Sequence, residues 1–211
     1  MCYTGRMTSA ASKTNTLPPR SARSKRVPKR MTLREFAAFE ADQPEKWELI
    51  EGVPYITPSP TGPHNDLAAE LRTLALRCLK PSEEWYVVLD ASVRLEPTAS
   101  EVRPDVAVYR KGELKDPEQL PYRALPALVI ECLSPSTAAR DMDSKRTLYC
   151  KLGIPEYWIV DPKTGAITLF TLIKGAYEQL SVDPKGFIKA TLLKRKLRIV
   201  VKPWTFEILE A

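Results

Sequence analysis

Three residue types stand out for the chemistry they could share. Asp105 follows Pro104, a residue without an N–H that favours a strand entrance. Glu131 sits inside ALVIECL, residues 127–133, an otherwise apolar run of the kind found in a strand buried on both faces. A charge there needs a partner, because an unpaired buried carboxylate is costly. Two carboxylates on neighbouring strands make a compact oxygen site, which suits Mg²⁺ with waters and substrate phosphate. Lys145 is spaced four residues from both Asp141 and Tyr149, so the three share one helix stripe and could hang over the end of the Glu131 strand.

Bland readings stand beside these. Asp105 could be a turn residue, Glu131 the partner of an arginine, and Lys145 a solvated partner of Asp141. His64, the single histidine, could be an exposed helix-start residue, or it could contact phosphate or shuttle a proton. Ser134, Ser136 and Thr137 read as a turn capping the next helix, with Ser134 able to touch phosphate. No Gly-x-Ser-x-Gly elbow supports a serine nucleophile.

These residues need a scaffold. Thr32 and Glu35 have capping-box spacing and open a short helix through about Glu40. Two strands flank the Glu51–Gly52 turn. Leu67, Leu71, Leu74 and Leu79 mark a helix over 64–80, with Asn65 or Asp66 near its start and Pro81 ending it. Strands are expected at 86–90, 92–95 and 106–109, then a polar loop over 110–125. The strand over 127–133 should place Val129 and Glu131 on one face and Leu128, Ile130 and Cys132 on the other. A helix over 138–152 stops at Gly153. A central strand follows at 156–160, then a β-meander over 166–207. The class is α/β, a mixed central sheet flanked by helices.

Bulk composition bounds the rest. The 211 residues suit one ordered domain over 31–211. Residues 1–30 carry eight Lys or Arg and no Asp or Glu, leaving 24 basic and 26 acidic residues in 31–211, a net of −2. The segment reads as a disordered basic tail. It could serve as a nucleic-acid arm, but a solvated leader or translation beginning at Met31 is the simpler reading. No apolar run is long enough to span a membrane, and no secretory signal is visible. Four cysteines without a CxxC pair argue against a zinc site and fit a reducing, cytoplasmic location.

Pro104-Asp105 followed by Glu131, Cys132 and Leu133 resembles the PD-(D/E)xK nuclease signature, with Leu133 where that signature has its lysine. The string VIECLSPST over 129–137, then Asp141, Lys145, Arg146, Tyr149 and GIPEYWIVDP over 153–162, resembles the Uma family of restriction-endonuclease-type proteins. WELIEG over 47–52 and Ser59, Pro60 and His64 resemble its N-terminal part, so the likeness covers about 31–207.

The resemblance implies a restriction-endonuclease-like fold and Mg²⁺-dependent cleavage of DNA, with Mn²⁺ as a substitute. It implies Asp105 and Glu131 as metal ligands, with Glu48, or else Glu51, as an extra one. Lys145 takes the lysine's role from the following helix, and Arg146 is next in line should Lys145 point away. His64, Ser134 and Arg146 are the expected substrate contacts. A homodimer is expected, with no membrane and no nucleotide cofactor. The rival reading is an inactive nuclease fold serving as a DNA-binding or protein-interaction module; an RNA or single-stranded substrate is a third.

Overall fold

The computed structural model describes residues 30–79, 85–203 and 205–211. The tail assigned to 1–30 falls outside them except for Arg30, as does the stop at Pro81. The elements run in order: α1 Leu33–Glu40, β1 Lys46–Ile50, β2 Val53–Thr57, α2 Gly62–Cys78, β3 Trp85–Leu89, β4 Val93–Leu95, β5 Ser100–Val102, β6 Val106–Arg110 and β7 Leu128–Cys132. A π-helical turn, Arg140–Lys145, leads into α3 Arg146–Lys151. Then come β8 Glu156–Val160, β9 Ile167–Ile173, β10 Ala176–Leu180, β11 Ile188–Ala190, β12 Arg195–Lys202 and β13 Thr205–Glu210.

The central sheet is six-stranded and mixed, in the order β10-β9-β8-β7-β6-β3. Only β7 and β8 run parallel in it, joined by the helical crossover between them. β7 and β8 are buried along their whole length, as their apolar runs require. Strand alternation divides the core. Leu128, Ile130, Cys132, Trp158 and Val160 face α2 and the C-terminal strands. Val129, Tyr157 and Ile159 face α3 and a second sheet of order β2-β1-β5-β4. The expected mixed α/β class is therefore the observed one.

Local differences from the sequence expectations have physical reasons. The capping box forms: Glu35 N donates to Thr32 Oγ1 at 3.2 Å, and Thr32 N donates to Glu35 Oε2 at 2.8 Å. α2 begins at Gly62, two residues before His64, because Pro63 is preset for a first helical turn. His64 is thus carried inside the helix. β5 was not foreseen; Ser100 and Glu101 are weak strand formers, and β5 exists because β1 and β4 flank it. The expected meander over 166–207 is divided. β9 and β10 extend the central sheet, while β11–β13 form a separate antiparallel sheet.

The helix expected over 138–152 is interrupted by its π-helical turn. Tyr157 lies beneath it and donates its hydroxyl to the Asp141 carbonyl at 3.0 Å, in a buried setting. A side chain that captures a helix carbonyl accounts for such a deviation. Gly153, at φ +79°, ends α3 in the left-handed conformation that glycine tolerates.

Tyr157→Phe keeps the ring but removes the hydroxyl that donates to the Asp141 carbonyl. The expected loss is about 1–3 kcal/mol of unfolding free energy in urea. An unchanged midpoint would show that the hydroxyl does not hold the turn.

Candidate active site

β6 and β7 pair with Val106 opposite Ile130. One residue further, the same register sets Asp105 opposite Glu131. The end of β7 is fixed to the entrance of β6 by a hydrogen bond: Cys132 N donates to Asp105 Oδ2 at 2.6 Å. The two carboxylates therefore meet because of strand register.

Lys145 reaches the same place from the helical crossover. Its Nζ lies 2.9 Å from Glu131 Oε1, 2.8 Å from Glu48 Oε1 and 3.7 Å from Asp141 Oδ1. Tyr149, one turn on, donates its hydroxyl to Glu131 Oε1 at 3.0 Å. The stripe of Asp141, Lys145 and Tyr149 does face the strand. Glu48, Glu131, Asp141 and Lys145 are each no more than 3% exposed.

Charge distribution explains the protonation tendencies. Burial alone would favour the neutral amine of Lys145, but Glu131, Glu48 and Asp141 outweigh it and hold the pKa well above the usual lysine value. Lys145 stays charged. Burial pushes Glu131 well above the usual carboxylate range; Lys145 opposes that shift, and Asp141, Asp105 and Glu48 add to it. Asp141 is raised as well, chiefly by burial. The site is crowded with carboxylates.

His64 enters from the first turn of α2, with Nε2 at 3.2 Å from Asp105 Oδ2. Its hydrogen bond to Asp105 raises its pKa, against the opposing effect of burial. Its Nδ1 is buried without a partner among the described residues. Ser134 follows β7, with its Oγ 2.9 Å from Thr137 Oγ1 and 3.2 Å from Ser136 Oγ. Asp105, Glu131, Lys145, Glu48, His64 and Ser134 all line one cleft of about 700 Å³.

Glu48 and Arg146 stand in different surroundings. Glu48, expected as a further metal ligand, has both oxygens engaged. Oε1 accepts from Lys145 and from Arg103 N at 2.7 Å, and Oε2 lies 3.4 Å from an Arg140 Nη1. A buried carboxylate needs such donors, and these make Glu48 the anchor of Lys145. Arg146, expected at the substrate, is absent from the cleft lining. Adjacent helix positions point about 100° apart. Arg146 accordingly lies over the Phe170 ring, 5.6 Å from its centroid, and 3.8 Å from Asp143 Oδ1.

Arg140 supports the site from outside the cleft lining, and the sequence did not disclose it. Besides Glu48, it reaches the Ile56 carbonyl at 3.3 Å and covers the Tyr55 ring at 5.2 Å, tying the β1–β2 hairpin to the cleft. Its partners lie 84 and 92 residues away in sequence, so no local spacing announces them.

Fit to a divalent ion follows from the donor set. Glu48, Asp105, Glu131 and Asp141 outnumber Lys145 and Arg140, so the site holds more carboxyl groups than cations. Among the described residues no three His, Cys, Asp or Glu side chains form a closed metal cage. Two facing carboxylates are the partial set that Mg²⁺ accepts while keeping waters and substrate oxygens. The residues fit such an ion.

A mixed sheet presenting two facing carboxylates and a buried lysine defines a nuclease-like α/β protein. Residues 33–201 match the family Uma2, described as "Putative restriction endonuclease", and the chain belongs to that family. A curated relative, the uncharacterized protein slr1290 of Synechocystis sp., is 28% identical over 137 residues, spanning 64% of this chain and 71% of its own length. A crystal structure from Anabaena variabilis, titled as a "putative nuclease belonging to DUF820", superposes with a TM-score of 0.61 at 20% identity. It covers 78% of this chain and 91% of its own, which establishes the shared fold.

Lys145→Met strands three buried carboxylates and should destabilise the protein by about 3–5 kcal/mol. Adding Glu131→Gln should restore part of that loss. Urea unfolding of both single variants and the double variant checks this, and additive losses would mean that the pair is not coupled.

Proposed function

We propose that the cleft hydrolyses phosphodiester bonds in DNA with a divalent ion, Mg²⁺ by preference and Mn²⁺ as a substitute. One observation carries this reading: Lys145 returns from the helix to contact Glu131, while strand register sets Asp105 opposite. The constellation of a strand-borne lysine is thereby rebuilt with Leu133 in the strand position.

Asp105 and Glu131 would hold the ion. When bound, it supplies Lewis acidity at the scissile phosphate and lowers the pKa of a coordinated water. Lys145 contributes a fixed positive charge beside the phosphate, held in place by Glu48 and Glu131, so little reorganisation is needed as negative charge builds up. Tyr149 fixes the Glu131 carboxylate from below. His64 orients Asp105 and stands at the cleft wall, where it can meet substrate phosphate. Ser134 offers a further hydroxyl in the cleft lining. Severing both strands of a duplex would require two such sites, and hence a second copy of the chain.

Nicking of supercoiled plasmid tests the proposal. Purified protein should cut in Mg²⁺ or Mn²⁺ and stop with a chelator. Asp105→Asn and Glu131→Gln should abolish cutting, and Lys145→Met should slow it on the order of 100-fold or more. Wild-type protein that binds the plasmid without metal-dependent cutting would favour a binding module and sink the enzyme reading.

A further inference from the structure

The cations of the folded body are segregated. Residues 184–202 hold seven of them, Lys185, Lys189, Lys194, Arg195, Lys196, Arg198 and Lys202, and no acid. The rest of 31–211 has 17 basic and 26 acidic residues, a net of −9. All seven side chains are exposed, and none lines the cleft.

The segment folds into β11 and β12, whose alternation gives each strand a fixed inner and outer face. Ile188, Ala190, Leu197 and Ile199 pack inward against α2 and the central sheet. Lys189, Lys196, Arg198 and Lys202 project outward. Register places Lys189 directly opposite Lys196, a like-charge pair that weakens a ladder. Asp183 and Glu207 pair with Lys196 and Lys202. Lys185, Lys189, Lys194 and Arg198 have no acidic partner among the described residues.

Lysines on an exposed strand often serve only to block edge-to-edge pairing. That explanation covers β11, which is an edge strand. It does not cover β12, which is the middle strand of its sheet and carries Lys196, Arg198 and Lys202. A middle strand with a cationic outer face, set on an otherwise acidic body, is instead complementary to a polyanion.

We infer that the outer face of the β11–β12 ribbon is a docking surface for the DNA backbone, separate from the cleft and indifferent to base sequence. This rests on DNA being the substrate of the cleft. A surface of this kind neutralises phosphates and releases counterions, so its signature is a salt dependence. It would hold duplex to a body, residues 31–211, whose charge outside the ribbon is −9.

The test uses the full chain in metal-free buffer with a fluorescent 20-base-pair duplex, titrated by anisotropy across a range of KCl. One variant carries Lys185→Gln, Lys189→Gln, Lys194→Gln and Arg198→Gln. A control of equal charge change carries Lys111→Gln, Lys115→Gln, Lys163→Gln and Lys174→Gln. The ribbon variant should lower the slope of log K against log salt by about three to four, with affinity at low salt falling on the order of tenfold or more. The control should stay near wild type. Equal losses in both variants, or no loss in either, would overturn the assignment. So would preferential binding of phosphatidylserine vesicles over duplex at equal phosphate. A protein that binds through the ribbon and cuts nothing keeps the assignment and removes the cleavage reading. One that cuts in Mg²⁺ while the ribbon variant binds normally removes the ribbon alone.

Discussion

The buried ammonium of Lys145 is the point on which the site depends. It is held by Glu48 from β1, Glu131 from β7 and Asp141 from its own helical turn. An unpaired charge in that environment would be prohibitively costly, so the three carboxylates and the lysine must be buried together or not at all. Their union ties the small sheet to the central one. Arg140 adds a second tie, through Glu48 and the β2 carbonyl at Ile56. Lys145 thus fixes the position of the crossover, and the crossover fixes the π-helical turn through Tyr157.

Burial of a glutamate in a central strand does not by itself mark a reactive centre. Glu156 shows this within the same sheet. It is 2% exposed and its pKa is raised by burial. Its oxygens are satisfied by Trp158 Nε1 at 2.7 Å and Leu192 N at 2.9 Å. Those donors are neutral and fix the approach of the C-terminal strands, a structural task. Glu131 differs in its company. A permanent cation touches it, a carboxylate faces it across the ladder, and the cleft reaches it.

Much of the scaffold was legible because its periods are strong. The apolar runs of β7 and β8, the leucine spacing of α2 and the Thr32–Glu35 box each state their local structure without help. Lys145 and Tyr149 were legible as a stripe because four-residue spacing keeps them on one face. What stayed hidden depends on distant chain segments. β5 is a strand only because β1 and β4 pair with it. The engagement of Glu48 depends on Arg103 N and on Arg140, neither of which its own strand reveals. Nor does spacing alone show that Arg146 lies over the Phe170 ring, a residue of β9 far along the chain.

In the proposed site the lysine comes from the helix and not the strand, which changes what each position must do. Leu133, at the position where the signature has its lysine, instead packs against the cluster around Tyr149, Tyr157 and Ile159. The strand end gains apolar burial, and the charge arrives on an element with its own supports. That arrangement makes the placement of the ammonium a property of the crossover rather than of strand register. Asp105 and Glu131 still depend on register. The two carboxylates and the lysine are therefore set by separate constraints that converge, and the excess of carboxylates over cations is the residue of that convergence. Such an excess raises the cost of folding the site without an ion. It is also the setting that the proposed divalent ion would require.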